Sequence, residues 1–385
     1  MVVVGICFLL AWGIRRHRMQ PDSPEADPMP AEETTANPGG DWPQFHCDQA
    51  QSGVVPGNLP EQLSLVWRFN AGDEIKSSPA IVDGRVYVGA LDGHVYALDL
   101  QTGKQLWAIA LDDMVEAPPA LVEDTVYIGT LAGTLYALDA ESGATRWTFR
   151  TGSKLVGGAN WYRNPEGRLR ILTGSHDSFL YCIDAPSGQA VWTYQSGNYI
   201  NGSPAVATDY CAFGGCDAII HVLSLTDGAK VREIDTGAYV AGSSVIREGH
   251  VYVANYDGDL LKASLTTGEV AWRYSIGDAP FVSSPAVSEE VVVIGGRDMR
   301  VHCIDNRTGE ARWAYATLGE VDSSPAIAGD KVVVGSDDGR LYLLSLADGK
   351  LLWTYETGRS ITSSPAVADG MIVVGCDDGM VYCYK

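Results

Sequence analysis

The chain lacks basic charge. It has 27 Lys+Arg against 48 Asp+Glu, a formal net charge of −21 over 385 residues. A nucleic-acid binder needs a basic face to neutralise phosphates, so that class is excluded, and an anionic membrane surface is disfavoured for the same reason. Charged residues total 19%, below the usual ~25%. The eight cysteines contain no C-x-x-C and no Cys-Cys dipeptide, and the seven histidines do not fall at zinc-binding spacings. The apolar run Val2–Ile14 is 13 residues long. As a helix it measures about 20 Å, short of the ~30 Å hydrocarbon core. Its positive cluster Arg15-Arg16-His17-Arg18 follows the run, whereas a signal peptide carries its charge ahead of it. Helical periodicity is also missing, because apolar stretches are short and repeatedly cut by Gly.

Glycine and tryptophan are abundant, at 43 and 10 residues. The tryptophans are evenly spaced. Trp67, Trp107, Trp147, Trp192, Trp272, Trp313 and Trp353 mark a period of about 40, with Arg232 in the one gap. Each unit opens on a sequence such as Ser77-Ser78-Pro79-Ala80, which returns at Ser283, Ser323 and Ser363 and more loosely elsewhere. Counting the degenerate Gly157-Gly158-Ala159-Asn160 gives eight units. Val86-Tyr87-Val88 and Val95-Tyr96-Ala97-Leu98 have strand composition, and the Asp92-Gly93 between them signals a two-residue hairpin. Runs that are apolar at consecutive positions point to sheets covered on both faces.

Four strands in each of eight ~40-residue units predict an all-β, eight-bladed β-propeller with antiparallel blades. The last unit ends at Lys385 without its Trp strand, and Leu63–Phe69 is an orphan Trp strand. The N-terminal strand is therefore expected to complete the last blade, which removes exposed sheet edges. The organisation read from the sequence is a short apolar segment at 1–18, an acidic Pro-rich disordered linker at 19–40, a lead-in at 41–62 and the propeller at 63–385.

Ala97-Leu98-Asp99-x-x-Thr102-Gly103-x-x-x-Trp107, repeated at Ala137–Trp147, resembles the tryptophan-docking motif of the pyrroloquinoline quinone (PQQ)-like propeller superfamily. Asp41-Trp42-Pro43-Gln44-Phe45 is similar to the lead-in of bacterial PQQ-like repeat proteins. The resemblance covers residues 63–385 and implies blade-docking roles for the seven tryptophans. Two branches follow from it. Quinoprotein dehydrogenases hold PQQ and Ca²⁺ in the funnel, carry long insertions and commonly an adjacent Cys pair. The non-enzymatic outer-membrane assembly factors of the BamB type do neither, and the chain is more similar to these. That branch implies no cofactor, a monomeric scaffold for protein partners, and an extracytoplasmic place in the cell envelope with membrane anchoring through the N-terminus. A PQQ-binding quinoprotein and a sensor propeller acting through a signalling partner remain the alternatives.

Three further expectations concern side chains. Ser77, Ser283, Ser323 and Ser363 open the innermost strands, where their hydroxyls would edge the funnel. Cys211/Cys216 and Cys376/Cys383 are the pairs to test for disulfides, beside the reading of free Cys as small core residues. The third unit is longer than most and contains Trp161, Tyr162, Arg163, Arg168 and Arg170 between its first two strands. Arginine and aromatics in an acidic protein suit a partner-binding loop, and a plain surface loop accounts for the same residues.

Overall fold

The computed structural model describes residues 40–385; the apolar segment and nearly all of the acidic linker lie outside the described residues. From Leu63 onward the chain builds eight four-stranded units in sequence. Blade 1 comprises Ala80–Val82, Arg85–Gly89, His94–Asp99 and Gln105–Ala110, from the innermost strand outward. Blade 8 takes Ala366–Ala368, Met371–Gly375 and Met380–Tyr384 from the C-terminus and its outermost strand, Leu65–Asn70, from the N-terminal side. Trp67 registers with Cys383 across that closure, and Ser64 and Lys385 exchange backbone hydrogen bonds of 2.8 and 3.0 Å beyond it. The chain is thus an eight-bladed propeller closed by its own N-terminal strand. Among the described residues no helix is long and apolar enough to cross a membrane.

Burial explains the unbroken apolar runs. The second strand of a blade is covered on both faces, fully so at Thr125–Gly129, whereas the outermost strand Thr145–Arg150 alternates exposed and half-buried. Blades are joined by the tryptophans. Six of them donate Nε1–H to a main-chain carbonyl of the next blade at 2.7–3.3 Å, Trp67 to Leu100 and Trp107 to Ala140 for example. The ring lies flat on the glycine of the neighbouring turn. At Gly103 φ is +69°, and a Cβ would stand 2.5 Å from the Trp67 ring, so only glycine fits. Arg232 imitates the missing tryptophan, reaching the Thr267 carbonyl with Nη1 at 3.0 Å. Trp353 differs, because the third and fourth strands of blade 8, Met380–Tyr384 and Leu65–Asn70, are not joined by a hairpin turn. It packs edge-on against Tyr384 at 5.2 Å instead.

The hairpin aspartates are committed within their turns. Asp92, Asp177, Asp338 and Asp378 accept from the tyrosine four residues on at 2.5–2.7 Å. In blades 4 and 6 a histidine takes that place, His221 on Asp217 and His302 on Asp298. The two proposed cysteine pairs are not bonded: Cys211, Cys216, Cys376 and Cys383 are free thiols. Cys211 is fully buried in a strand, and burial raises its thiol well above the ordinary range.

Candidate functional site: a plugged channel and its open mouth

The serines do not edge an open funnel. Ser77, Ser323 and Ser363 are fully buried and stitch neighbouring blades together. Each accepts from the amide of its own blade's Gly89, Gly335 or Gly375 at 3.2 Å. Each also donates to the main chain of the next blade, at 2.8–3.2 Å. The following serines continue the ring, with Ser284 N–H donating to Ser324 Oγ, Ser324 N–H to Ser364 Oγ and Ser364 N–H to Ser78 Oγ. Their hydroxyls are spent on closure, which removes them as nucleophiles.

One end of the channel is closed by the lead-in. Trp42 and Ile81 exchange two backbone bonds of 2.7 Å in blade 1. The carbonyls of Pro43, Gln49, Ala50, Ser52 and Gly53 then accept from Leu121, Val206, Ile246, Val287 and Ile327, the matching position in blades 2, 4, 5, 6 and 7. Val54–Val55 finally adds a parallel strand inside blade 7, giving that blade five strands. Blade 3 contributes Asn160 in place of the usual alanine. Its Nδ2 donates to the Gln49 and Pro204 carbonyls at 2.7 and 2.8 Å, and its Oδ1 accepts from Gln44 Nε2 at 3.1 Å. Positive φ at His46, Cys47, Gln51 and Gly53 lets the segment curl tightly enough to do this. His46 is fully buried, and burial lowers its imidazole to about 4.

The opposite end of the channel is ringed by turns. Two sets of turns frame it, the loops entering each innermost strand and the hairpins between second and third strands. One residue of each hairpin donates its N–H to the loop at 2.9–3.0 Å, at all eight blades. The pairs are Leu91/Glu74, Leu131/Met114, His176/Lys154, Cys216/Tyr199, Tyr256/Tyr239, Arg297/Pro280, Asp337/Glu320 and Asp377/Ser360. The next loop residue is a buried apolar anchor in every blade, from Ile75 and Val115 to Val321 and Ile361, each fully inaccessible. Burying such a side chain stabilises by about 1.5–3 kcal/mol. The frame is therefore uniform and rigid while the side chains it presents vary.

Those side chains differ from blade to blade, with Glu74 in blade 1, Lys154 and His176 in blade 3 and exposed Arg359 in the loop of blade 8. Blades 1 and 2 present Leu91, Leu131 and Met114. Blades 4 and 5 present Tyr199, Tyr239 and Tyr256, with Tyr199 and Tyr239 50% and 58% exposed. Blades 7 and 8 present Glu320, Asp322, Asp337 and Asp377. Arg297 stands beside them, its Nη2 2.7 Å from Asp322 and its Nε 3.3 Å from Glu320. Burial, reinforced by Asp322, Glu320 and Asp377, pushes the Asp337 carboxyl up to about 6.

The residues of the third unit are divided by the structure. Tyr162 is buried and donates to the Leu225 carbonyl at 2.6 Å, and Arg170 is buried in an ion pair with Asp184. Trp161 is half-buried against the blade 2–3 core. Arg163 and Arg168 are exposed; Arg163 pairs with Glu123. Those two arginines line an open cleft of about 620 Å³ with Arg146, Asp124 and Asp184, on the face away from the mouth. Of the five, Tyr162 and Arg170 are taken up by the fold, and Arg163 and Arg168 reach solvent.

Residues 60–160, 176–317 and 276–385 match the family described as outer membrane protein assembly factor BamB. The chain belongs to that family. Residues 111–213 also match the family of the β-propeller domain of glucose, ethanol and alcohol dehydrogenases. Among solved structures, BamB from Moraxella catarrhalis superposes with a TM-score of 0.72 at 21% identity, covering 84% of this chain and 98% of that one. Quinohemoprotein alcohol dehydrogenase from Comamonas testosteroni gives 0.76 at 16% identity, covering 91% and 81%. At these identities the likeness establishes the shared fold. A curated relative, the 1-butanol dehydrogenase (cytochrome c) of Thauera butanivorans, is 35% identical over 77 residues, 18% of this chain. The match spans only 11% of that enzyme's length.

Proposed function

We propose that this BamB-family propeller is a non-enzymatic scaffold of the bacterial cell envelope, and that its open mouth holds a protein partner. The observation that carries the reading is the mouth itself. A uniform frame displays exposed tyrosines, Met114 and Leu318 on one face, the side-chain types that dominate protein interfaces. The repeated polar residues, by contrast, are engaged inside the fold. Gly40 and Asp41, the first described residues, lie on the opposite face against Asp369 and Asp83.

The donor set at the mouth does not fit PQQ with Ca²⁺. Ca²⁺ takes six to eight oxygens. Glu320, Asp322 and Asp337 bring oxygens within 4.8 Å of one another, but Arg297 already bonds two of the three. PQQ is itself a tricarboxylate, and the acidic arc repels it. The test is to purify the protein, add PQQ and Ca²⁺, and follow cofactor absorbance and dye reduction. The scaffold reading expects neither; retained cofactor with turnover overturns it.

A further inference from the structure

The mouth is polarised in a way that specifies its occupant. We infer that it receives a polypeptide segment carrying lysine or arginine, the cationic head meeting the carboxylates of blades 7 and 8 and the flanking residues lying on the tyrosines of blades 4 and 5. This rests on the scaffold reading and names its partner's chemistry.

Three features carry it. First, the carboxylates outnumber their local cations. Arg297 serves Glu320 and Asp322, and Lys76 lies 3.6 Å from Glu74. Asp377 is held by the Thr362 hydroxyl at 3.0 Å, and the Oδ1 atom of Asp337 is buried without a partner. A carboxylate withdrawn from water without a counter-ion is costly, and a cation supplied by a partner relieves that cost. Second, the tyrosines lie on the same ring of loops and hairpins as the acids, at the equivalent positions of blades 4 and 5. Aromatic faces accept both apolar side chains and cationic heads. Third, Met114 and Leu318 extend the surface with exposed apolar area, Leu318 at 71%. A bare metal ion makes no use of that area, and Arg297 already occupies the ion-sized gap. Nucleic acid is repelled by the same carboxylates. Charge complementarity therefore selects a basic peptide segment.

The test measures fluorescence anisotropy with labelled peptides of lysine, leucine and glycine, and with versions carrying glutamine or glutamate for lysine. The lysine peptide is expected to bind at least about tenfold more tightly than the glutamine version, a difference of ~1.4 kcal/mol, and the glutamate version not to bind. Asp337→Asn with Asp377→Asn, and separately Tyr199→Ala with Tyr239→Ala, should each weaken the lysine peptide about tenfold. Glu269→Gln with Glu289→Gln, which removes the same charge from the opposite face, should leave it unchanged. Equal weakening by that control, or equal binding of the glutamine peptide, overturns the inference. If a partner cross-links at Tyr239 while the lysine preference is absent, this inference falls and the scaffold reading stands. If the protein retains PQQ and turns over, both fall.

Discussion

Asn160→Ala replaces a residue with the one that most other units carry at that position, yet it is expected to destabilise the protein. Asn160 is fully buried and joins four hydrogen bonds: to the Gln49 and Pro204 carbonyls, from Gln44 Nε2, and from the Trp161 amide at 2.7 Å. A net intramolecular hydrogen bond is worth about 1 kcal/mol, and each buried group left unpaired costs about 1–3. Gln44 Nε2 keeps its second bond, to the Asp48 carbonyl at 2.7 Å, and a water entering the small void satisfies part of the rest. The loss is therefore about 3 kcal/mol. Urea denaturation followed by tryptophan fluorescence measures it. Native-state hydrogen exchange localises it, because the Val206 and Ile246 amides donate to the carbonyls of Gln49 and Ala50 in the plug and should exchange faster. A change under about 0.5 kcal/mol, with those amides still protected, would refute the argument that Asn160 fastens the plug.

Two other outcomes follow from the same structure. Arg232→Trp should raise the unfolding free energy by about 1 kcal/mol, read as a higher urea midpoint, since Arg232 sits over Gly268 as the tryptophans sit over their glycines and leaves its Nε buried without a partner; an unchanged midpoint would show that blade 4 is shaped for arginine. Asp337→Asn should stabilise the protein at pH 7.5 while weakening the basic peptide. Asp337 in the fold is pushed up to about 6 from an ordinary 3.8. The wild-type penalty is thus present above about 6 and disappears as pH falls toward 4, and the variant's gain should fade over that window. A gain that persists at pH 4 would rule out this electrostatic origin.

The fold was legible because it rests on what repeats. The tryptophan spacing, the Asp-Gly hairpins and the orphan strand at Leu63–Phe69 each recur or are completed by symmetry, so one chain suffices to read eight blades and their closure. The plug and the mouth were not legible because they rest on what varies. Gly157-Gly158-Ala159-Asn160 looks like a decayed repeat, but Asn160 departs from alanine in order to hold the lead-in. Glu74, Met114, Tyr199, Tyr239 and Glu320 occupy one structural position with unlike residues, so no motif marks them. The signal that could have found them is the residue just before the apolar anchor in every unit. In the third unit composition does not report burial: Arg170 and Tyr162 belong to the interior, while Arg163 and Arg168 are exposed. Part of the net charge of −21 lies in the carboxylates of blades 7 and 8.

The central claim is that the mouth, rather than a bound cofactor, is where this propeller acts. A photo-cross-linking residue at Tyr239, compared with one at Glu289 on the opposite face, tests it in growing cells that express the protein. A discrete protein adduct is expected from Tyr239, reduced by Asp337→Asn with Asp377→Asn, and none from Glu289. Adducts from Glu289 alone would contradict it, as would a Tyr239 adduct that the charge variant leaves unaltered.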